Sequence, residues 1–279
     1  MTLRHLDIYT LLKKYGIKPK KSLGQNFLVE PAGLNKIIHA SALTTADEVL
    51  EIGAGLGSLT YLLAQCAQQV TAVEIDRAML APLREALGRF NNVRIVEGDI
   101  LELEPDQLVQ QQDYIVVANI PYYISSAIIR HLMGAQRRPK RVVLTVQKEV
   151  AERIIARDGK MSLLSLSVQV FGQVSMVGVI PAGSFLPAPE VDSAVLKIEL
   201  YPEPLVSFEQ QEAFFRLAHA GFGQKRKTLR NSLAAGLALT GTDVELFLME
   251  IGIDPQRRAE TLSILEWKKL TEAWLDRSA

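Results

Sequence analysis

Short apolar runs alternate with longer amphipathic stretches from residue 47 to about residue 160. Apolar runs of four or five residues are typical of strands buried on both faces, and the amphipathic stretches are typical of the helices that connect them. The predicted strands are 49–52, 70–73, 93–96, 114–118 and 142–146. The predicted helices are a segment after Gly57, 76–87, 125–133 and 148–156. This alternation predicts a doubly wound, Rossmann-like α/β domain with a parallel sheet.

The pattern changes after residue 160. Residues 161–189 carry no charge, but serine, glutamine, glycine and proline interrupt them, so we expect a buried helix and strand and no membrane span. Residues 174–179 and 194–200 could supply a closing antiparallel pair of strands. From 207 to 279 the strand signal stops and helices are predicted. We therefore expect one domain at 1–202, with a basic N-terminal segment at 1–46, and a small all-helical domain at 203–279.

Composition excludes several classes of protein. The chain has 279 residues, of which 48% are hydrophobic and 22% charged, as in ordinary globular proteins. Its one cysteine, Cys66, excludes an internal disulfide framework and a cysteine-rich zinc site, and we expect no metal. Arg4 and Asp7 occur without a long apolar run after them, so we expect no secretory signal and a cytoplasmic location.

The charges are segregated although they sum to zero. Residues 1–40 carry seven Lys or Arg against two acids, and 136–160 carry eight against three, whereas 41–113 carry four against twelve. Such segregation can create a basic surface on a neutral protein. Binding to a polyanion is therefore compatible with the composition.

A glycine-rich turn follows the first predicted strand. Gly53, Gly55 and Gly57 have GxGxG spacing, and Ser58 stands where a dinucleotide-binding motif would place its third glycine. Glycines at such a turn let the backbone approach a ligand closely, although a tight turn without a ligand could have the same sequence.

Acids follow the next two strands at the same predicted edge of the sheet. Glu74 ends the second strand and could accept hydrogen bonds from both ribose hydroxyls, and Asp99 follows the third strand. An acid-rich site suits a ligand with a sulfonium and an ammonium group, whereas a pyrophosphate would prefer positive charge. The pattern therefore favours S-adenosylmethionine over NAD.

The tetrapeptide Asn119, Ile120, Pro121 and Tyr122 follows the fourth strand at this edge. Methylation of a ring amine such as that of adenine would require acceptors that draw the amine towards tetrahedral geometry, because the nitrogen lone pair is delocalised into the ring. The Asn119 side-chain oxygen and the Ile120 carbonyl could act as those acceptors. Pro121 would hold the carbonyl in place, and Tyr122 could stack on the base. An Asx-type turn with a buried tyrosine is the alternative.

At these residues the chain resembles a known family. The segment 119–122 (NIPY) resembles the amine-methylating loop of adenine methyltransferases, and three further segments match signatures of the ribosomal RNA adenine dimethyltransferases: 21–28 (KSLGQNFL), 185–195 (FLPAPEVDSAV) and 222–229 (FGQKRKTL). The resemblance covers about residues 18–235. The last two segments favour the kasugamycin-resistance branch, which acts on 16S rRNA, over the related branch that methylates large-subunit RNA.

The resemblance implies a class I methyltransferase sheet and roles for individual residues. It implies that the cofactor is bound by Asn26, Leu28, Gly53, Gly55, Glu74, Asp99 and Asn119. Without it, the segment around Asn26 and Leu28 would be predicted as a turn. It also implies that Phe185 faces Tyr122 across a flipped adenine, where the alternative is a core phenylalanine that anchors a loop.

A basic cluster begins the predicted helical region: Lys225, Arg226, Lys227 and Arg230. A second basic cluster lies near the N-terminus: Lys13, Lys14, Lys18, Lys20 and Lys21. A solvated charged surface is the usual explanation of such clusters, but both flank motifs that resemble RNA-enzyme signatures, so phosphate contact is expected.

The expected substrate is 16S rRNA within an immature small ribosomal subunit, and the expected enzyme is a monomer. It would place two methyl groups on each of two adjacent adenosines near the 3′ end. The alternatives are a macrolide-resistance type methyltransferase of large-subunit RNA, a non-catalytic assembly factor with the same fold, and an NAD-dependent enzyme.

Overall fold

The structure, a computed structural model, describes residues 3–20, 23–119, 125–157 and 159–278. Its strands are β1 (Phe27–Leu28), β2 (Glu48–Ile52), β3 (Gln69–Glu74), β4 (Val93–Glu97), β5 (Ile115–Asn119), β6 (Arg141–Gln147), β7 (Gly172–Ile180), β8 (Phe185–Leu186) and β9 (Ser193–Leu200). Its α-helices are α1 (Ile8–Tyr15), α2 (Pro31–Ser41), α3 (Ser58–Cys66), α4 (Arg77–Leu87), α5 (Pro105–Leu108), α6 (Ser125–Gly134), α7 (Lys148–Ile155), α8 (Leu163–Gln169), α9 (Phe208–Phe222), α10 (Leu229–Leu237), α11 (Gly241–Glu250) and α12 (Ile264–Ser278).

Seven strands form the central sheet in the order β4-β3-β2-β5-β6-β9-β7. The first five of these are parallel, and Val49 and Leu50 of β2 are completely buried because the sheet is covered on both faces. The chain leaves β2 towards β3 on one side, and later returns to β5 on the other side. In open α/β sheets this reversal creates a crevice at the carboxyl ends of the two central strands. The α/β fold predicted from the sequence is confirmed.

The end of the sheet differs in part from the prediction. β9 is antiparallel to β6, and β7 is the other neighbour of β9. The buried helix predicted within 161–189 is α8, but the buried strand predicted there is wrong in part, because Met176 and Val177 of β7 are exposed. Among the described strands β7 is at the edge of the sheet, with a neighbour on one side only. Every helix among the described residues is too short or too polar to span a bilayer.

Local signals explain where the helices beside the sheet begin. The Asp76 carboxylate accepts a hydrogen bond from the Ala78 N–H and thereby caps α4. Pro31 occupies the first turn of α2, where its missing N–H costs nothing.

The N-terminal region contains a strand that the sequence did not predict. β1 pairs antiparallel with β8, with Phe27 opposite Leu186 and Leu28 opposite Phe185. A strand of two residues has no periodicity to recognise, and its partner lies far along the chain. The expectation of a simple turn at this point is therefore corrected.

The chain divides into two compact units, the first formed by Met1–Ala151 and Ser175–Leu200 and the second by Glu152–Val174 and Tyr201–Ala279. Backbone hydrogen bonds tie the two parts of the second unit together: Met161 N–H donates to Glu260 O, and Leu205 N–H donates to Val170 O. Helices close-pack within this unit, since a Cβ built on Gly236 would lie 2.5 Å from Ala220 Cβ. The predicted helical C-terminal region is confirmed, and independent domains at 1–202 and 203–279 remain a prediction.

Candidate active site

A cavity opens at the carboxyl ends of β2, β3 and β5, within the first unit. It has an empty volume of about 840 Å³, including the part open to solvent. Its walls come from the glycine turn after β2, from the ends of β3 and β5, and from residues 23–28, which we call the N-terminal wall. Of the predicted cofactor residues, six line this cavity: Asn26, Leu28, Gly53, Gly55, Glu74 and Asn119.

The glycine turn fits closely against its neighbours. Gly55 has a φ of 56°, in the left-handed region, and a Cβ there would lie 3.1 Å from the Phe27 ring. Gly57 has a φ of 86°, and a Cβ there would lie 2.8 Å from Leu83. Both φ values favour glycine, and at Gly55, which lines the cavity, the absence of a side chain leaves the backbone at the cavity wall.

Glu74 presents a fixed carboxylate at the end of β3. It is 5% exposed, and its two oxygens accept hydrogen bonds from Gly55 N–H at 2.6 Å and Asp76 N–H at 2.8 Å. Burial raises the pKa of Glu74, while these backbone hydrogen bonds oppose that shift. The carboxylate is thus oriented before any ligand arrives.

Glu51 is a site residue that the sequence analysis missed. It lies in β2, is 1% exposed and lines the cavity, and its buried Oε2 has no hydrogen-bond partner among the described residues. Burial is the main cause that raises its pKa to about 8, and the charge of Glu74 adds to the shift. The available signal was an acid inside an apolar strand, two residues before Gly53. Two neighbouring buried acids suit a cationic ligand.

Asp99 stands apart from this group. It follows β4 and is half-buried, but it is not among the residues that line the cavity. Its Oδ1 accepts a hydrogen bond from Leu101 N–H at 2.9 Å, within its own turn. Its predicted contact with the cofactor stays a prediction.

Asn119 connects the end of β5 to the N-terminal wall. Its Nδ2 donates to Asn26 O at 3.5 Å, a long hydrogen bond, and Asn26 Nδ2 donates to Gly24 O at 3.3 Å. The other predicted members of the amine-methylating loop, Ile120, Pro121 and Tyr122, lie outside the described residues.

Phe185 is buried in the core of the first unit. It is 4% exposed, belongs to the same apolar cluster as Leu28, Leu34 and Ile37, and is not among the residues that line the cavity. These contacts are those of a residue that supports β1 through β8. Its predicted role in flanking an adenine stays a prediction.

The four predicted RNA-contacting residues fall into two groups. Lys225, Arg226 and Lys227 are exposed after α9. Arg230 is instead engaged within the second unit, where Nε donates to Gly241 O at 3.1 Å and forms an ion pair of 2.8 Å with Glu245.

Two lysines of the N-terminal basic cluster are also engaged. Lys14 pairs with Glu85, and Lys20 pairs with Asp76. Lys21 lies outside the described residues. The cluster therefore offers less free positive charge than its sequence suggests.

Comparison with known proteins places this geometry in a family context. The family model described as ribosomal RNA adenine dimethylase matches residues 16–275. The ribosomal RNA small subunit methyltransferase A of Dehalococcoides mccartyi is 46% identical to the chain, with 93% of this chain and 90% of the relative covered.

Two solved structures are also similar. A dimethyladenosine transferase from Plasmodium falciparum has a TM-score of 0.78 and 27% identity, covering 90% of this chain and 98% of that one. The 23S rRNA methyltransferase ErmE has a TM-score of 0.70 and 27% identity, covering 89% of this chain and 99% of that one.

Proposed function

The chain belongs to the ribosomal RNA adenine dimethylase family, and from this premise we propose that it uses S-adenosylmethionine to dimethylate two adjacent adenosines near the 3′ end of 16S rRNA. The observation that carries the proposal is the cavity in which the glycine turn, Glu74 and Asn119 meet. The proposed substrate is rRNA within an immature small subunit, and the proposed enzyme is a cytoplasmic monomer.

The residues around the cavity fit S-adenosylmethionine. Gly55 lines the cavity without a side chain, and the fixed Glu74 carboxylate suits a ribose diol. The unpartnered Oε2 of Glu51 suits a positive charge in the methionine portion of the cofactor. A cation nearby would favour the ionised form of both acids, whereas the pyrophosphate of NAD would be repelled.

Asn119 is proposed to act on the target amine. When bound, S-adenosylmethionine supplies a methyl group on a sulfonium. The Asn119 amide nitrogen already donates to Asn26 O, and its oxygen is the acceptor that the mechanism requires. A hydrogen bond from the adenine amine to this oxygen would localise the lone pair on nitrogen, and a second bond to the Ile120 carbonyl, held by Pro121, would strengthen the effect.

An aromatic clamp is proposed around the extruded base. Tyr122 is the stacking residue that the family resemblance implies. The burial of Phe185 favours a supporting role, in which it holds β1 and hence Leu28 at the cavity, over direct contact with the base.

Phosphate contact is proposed for the exposed residues Lys225, Arg226 and Lys227. Arg230 is less suited to this role than the sequence suggested, because a phosphate would have to displace its ion pair with Glu245.

Methyl transfer to purified subunits tests the proposed function. Small and large subunits that lack these methyl groups would be incubated with the protein and tritiated S-adenosylmethionine, and the labelled positions mapped on each RNA. Label on two adjacent adenosines of 16S rRNA is expected. Label on large-subunit RNA would favour the other branch, and no label on either particle with retained subunit binding would favour an assembly factor.

A further inference from the structure

The carboxylate of Asp76 makes more contacts than a helix cap requires. Asp76 is 5% exposed, and its Oδ1 accepts from Ala78 N–H at 3.1 Å, which caps α4. The same oxygen accepts from Lys20 Nζ at 2.8 Å, and Oδ2 accepts from Gln25 Nε2 at 2.8 Å. A cap needs one acceptor oxygen, so the second oxygen and the negative charge serve the N-terminal residues.

These contacts connect the N-terminal wall to the ligand-facing acid. Asp76 N–H donates to Glu74 Oε1, and Glu74 Oε2 accepts from Gly55 N–H. An unbroken series of hydrogen bonds therefore runs from Gln25 through Asp76 and Glu74 to the glycine turn. Gln25 itself lines the cavity.

The charge on Asp76 is maintained by these partners. Burial opposes its ionisation, but hydrogen bonds from Lys20, Gln25 and Ala78 together outweigh burial and hold the pKa of Asp76 below its usual range. Asp76 is therefore ionised at neutral pH, and Gln25 donates to a charged acceptor, which makes a stronger hydrogen bond than a neutral one.

We propose that Asp76 is a positioning residue for the cofactor, which fastens Gln25 and thereby keeps the N-terminal wall in place at the cavity. This inference rests on the proposed function, because it concerns affinity for S-adenosylmethionine. If the N-terminal wall is in place only part of the time, only a fraction of the molecules can bind the cofactor. The apparent Kd is then the intrinsic Kd divided by that fraction. Asp76 thus acts on binding through Asn26 and Leu28, without touching the cofactor.

Two variants separate the fastening role from the cap. Gln25→Ala removes the Nε2 donor to Asp76 and the Oε1 acceptor of Lys20 N–H, and leaves Asp76 and the cap intact. Asp76→Asn retains an acceptor for the cap, since asparagine is as good an N-cap as aspartate, but removes the charge that holds Lys20 and Gln25. Lys18→Ala is the matched control for cofactor binding and hydrogen exchange, because Lys18 is exposed in the same segment and takes no part in the hydrogen bonds to Asp76.

The measurements are calorimetric titration with S-adenosylhomocysteine, steady-state methyl transfer, and hydrogen exchange of a peptide covering residues 18–28. For Gln25→Ala and for Asp76→Asn we expect a Kd about tenfold higher, the effect of losing one hydrogen bond to a charged group. The KM for S-adenosylmethionine should rise while kcat at saturating cofactor stays within about twofold, and the peptide should exchange faster. The double variant should bind little worse than either single variant, because both remove the same interaction.

Three outcomes would overturn the inference. Binding and exchange equal to those of Lys18→Ala would show that the wall does not need Asp76. A loss of binding confined to Asp76→Asn, with a lower melting temperature and normal binding by Gln25→Ala, would assign Asp76 to stability through its ion pair with Lys20 rather than to fastening Gln25. Failure of the unmodified protein to bind S-adenosylhomocysteine would overturn the proposed function itself, and that result is visible before any variant is compared.

Discussion

At the scale of single residues, Asn119 is where the proposed cofactor site and the proposed adenine site meet. It ends β5, lines the cavity and makes one long hydrogen bond to the N-terminal wall. Little of the fold depends on a bond of 3.5 Å, so the side chain can be removed with small structural cost.

We predict that Asn119→Ala lowers the rate of methyl transfer by roughly 10²–10³, the usual cost of one preorganised group in a transition state. Single-turnover transfer to small subunits would measure the rate, and a thermal melt would check that the variant is folded. Cofactor affinity is measured in parallel, because Asn119 is also a predicted cofactor residue. Near-normal turnover would remove its proposed role with the amine.

The raised pKa of Glu51 leads us to expect that cofactor binding depends on pH. With its pKa raised to about 8, Glu51 is largely protonated at pH 6 and ionises towards pH 8, where it can hold a positive charge. We therefore expect the Kd for S-adenosylmethionine to fall as the pH rises from 6 to 8. Titration calorimetry at each pH would measure this change. Glu51→Gln should bind more weakly than the unmodified protein at pH 8 and should lose this trend, and the same trend in both proteins would assign it to the ligand.

The raised pKa of Glu51 also makes the stability of the folded protein depend on pH. A carboxyl group whose pKa is higher in the folded than in the unfolded protein favours folding while it is protonated, so stability should fall as pH rises from about 4.5 to about 8 and then level off. Glu51→Gln cannot ionise and should therefore gain in melting temperature relative to the unmodified protein as the pH rises. A constant difference across this range would contradict the raised pKa.

At the scale of elements, the pairing of β1 with β8 holds the N-terminal wall at the cavity. Phe185 of β8 packs with Leu28, which belongs both to the core and to the cavity wall. A change in Phe185 should therefore affect stability and cofactor binding together, although Phe185 itself does not line the cavity.

We predict that Phe185→Ala lowers the free energy of unfolding by about 3–5 kcal/mol, the usual cost of truncating a buried phenylalanine. Its affinity for S-adenosylhomocysteine should also fall, because Leu28 loses support. Phe185→Leu keeps most of the buried volume and should restore most of both properties. Denaturant melts and calorimetry would compare the two variants. A leucine variant that is stable and binds normally but transfers methyl groups slowly would instead support stacking on the adenine.

At the scale of the whole molecule, a chain with no net charge is proposed to bind a polyanion. This is possible only if positive side chains remain free on the surface. Several cations in the sequence are engaged instead, as the ion pairs of Lys14, Lys20 and Arg230 show. The exposed segment after α9 is the better candidate.

We predict that replacing Lys225, Arg226 and Lys227 by Ala weakens subunit binding and makes the log–log salt dependence shallower by about two to three units. Affinity for S-adenosylmethionine should not change. Arg230→Ala is the contrasting variant, which should lower the melting temperature and leave the salt slope nearly unaltered, because its charge is already paired. Filter binding over a series of salt concentrations would measure the subunit affinity of the unmodified protein, the triple variant and Arg230→Ala. An unchanged slope in the triple variant would assign these residues to a solvated surface.

The fold class and most of the cavity could be predicted from the sequence because their signals are local. Apolar runs of β2, β3 and β5 predict strands, and the residues that follow parallel strands necessarily meet at one edge of the sheet. Gly53, Gly55, Glu74 and Asn119 therefore come together as expected. The family resemblance added Asn26 and Leu28, for which no periodic pattern exists.

Only the tertiary structure decided which groups are buried, paired or free, because those properties depend on residues distant along the chain. Burial raises the pKa of Glu51 and makes Phe185 a core residue, and no local sequence pattern indicates either property. Arg230 and Lys20 have the same charge as their neighbours in sequence, yet Glu245 and Asp76 engage them. The sequence determined where the backbone places the site, and the packing of distant segments determined the charge and the freedom of the side chains within it.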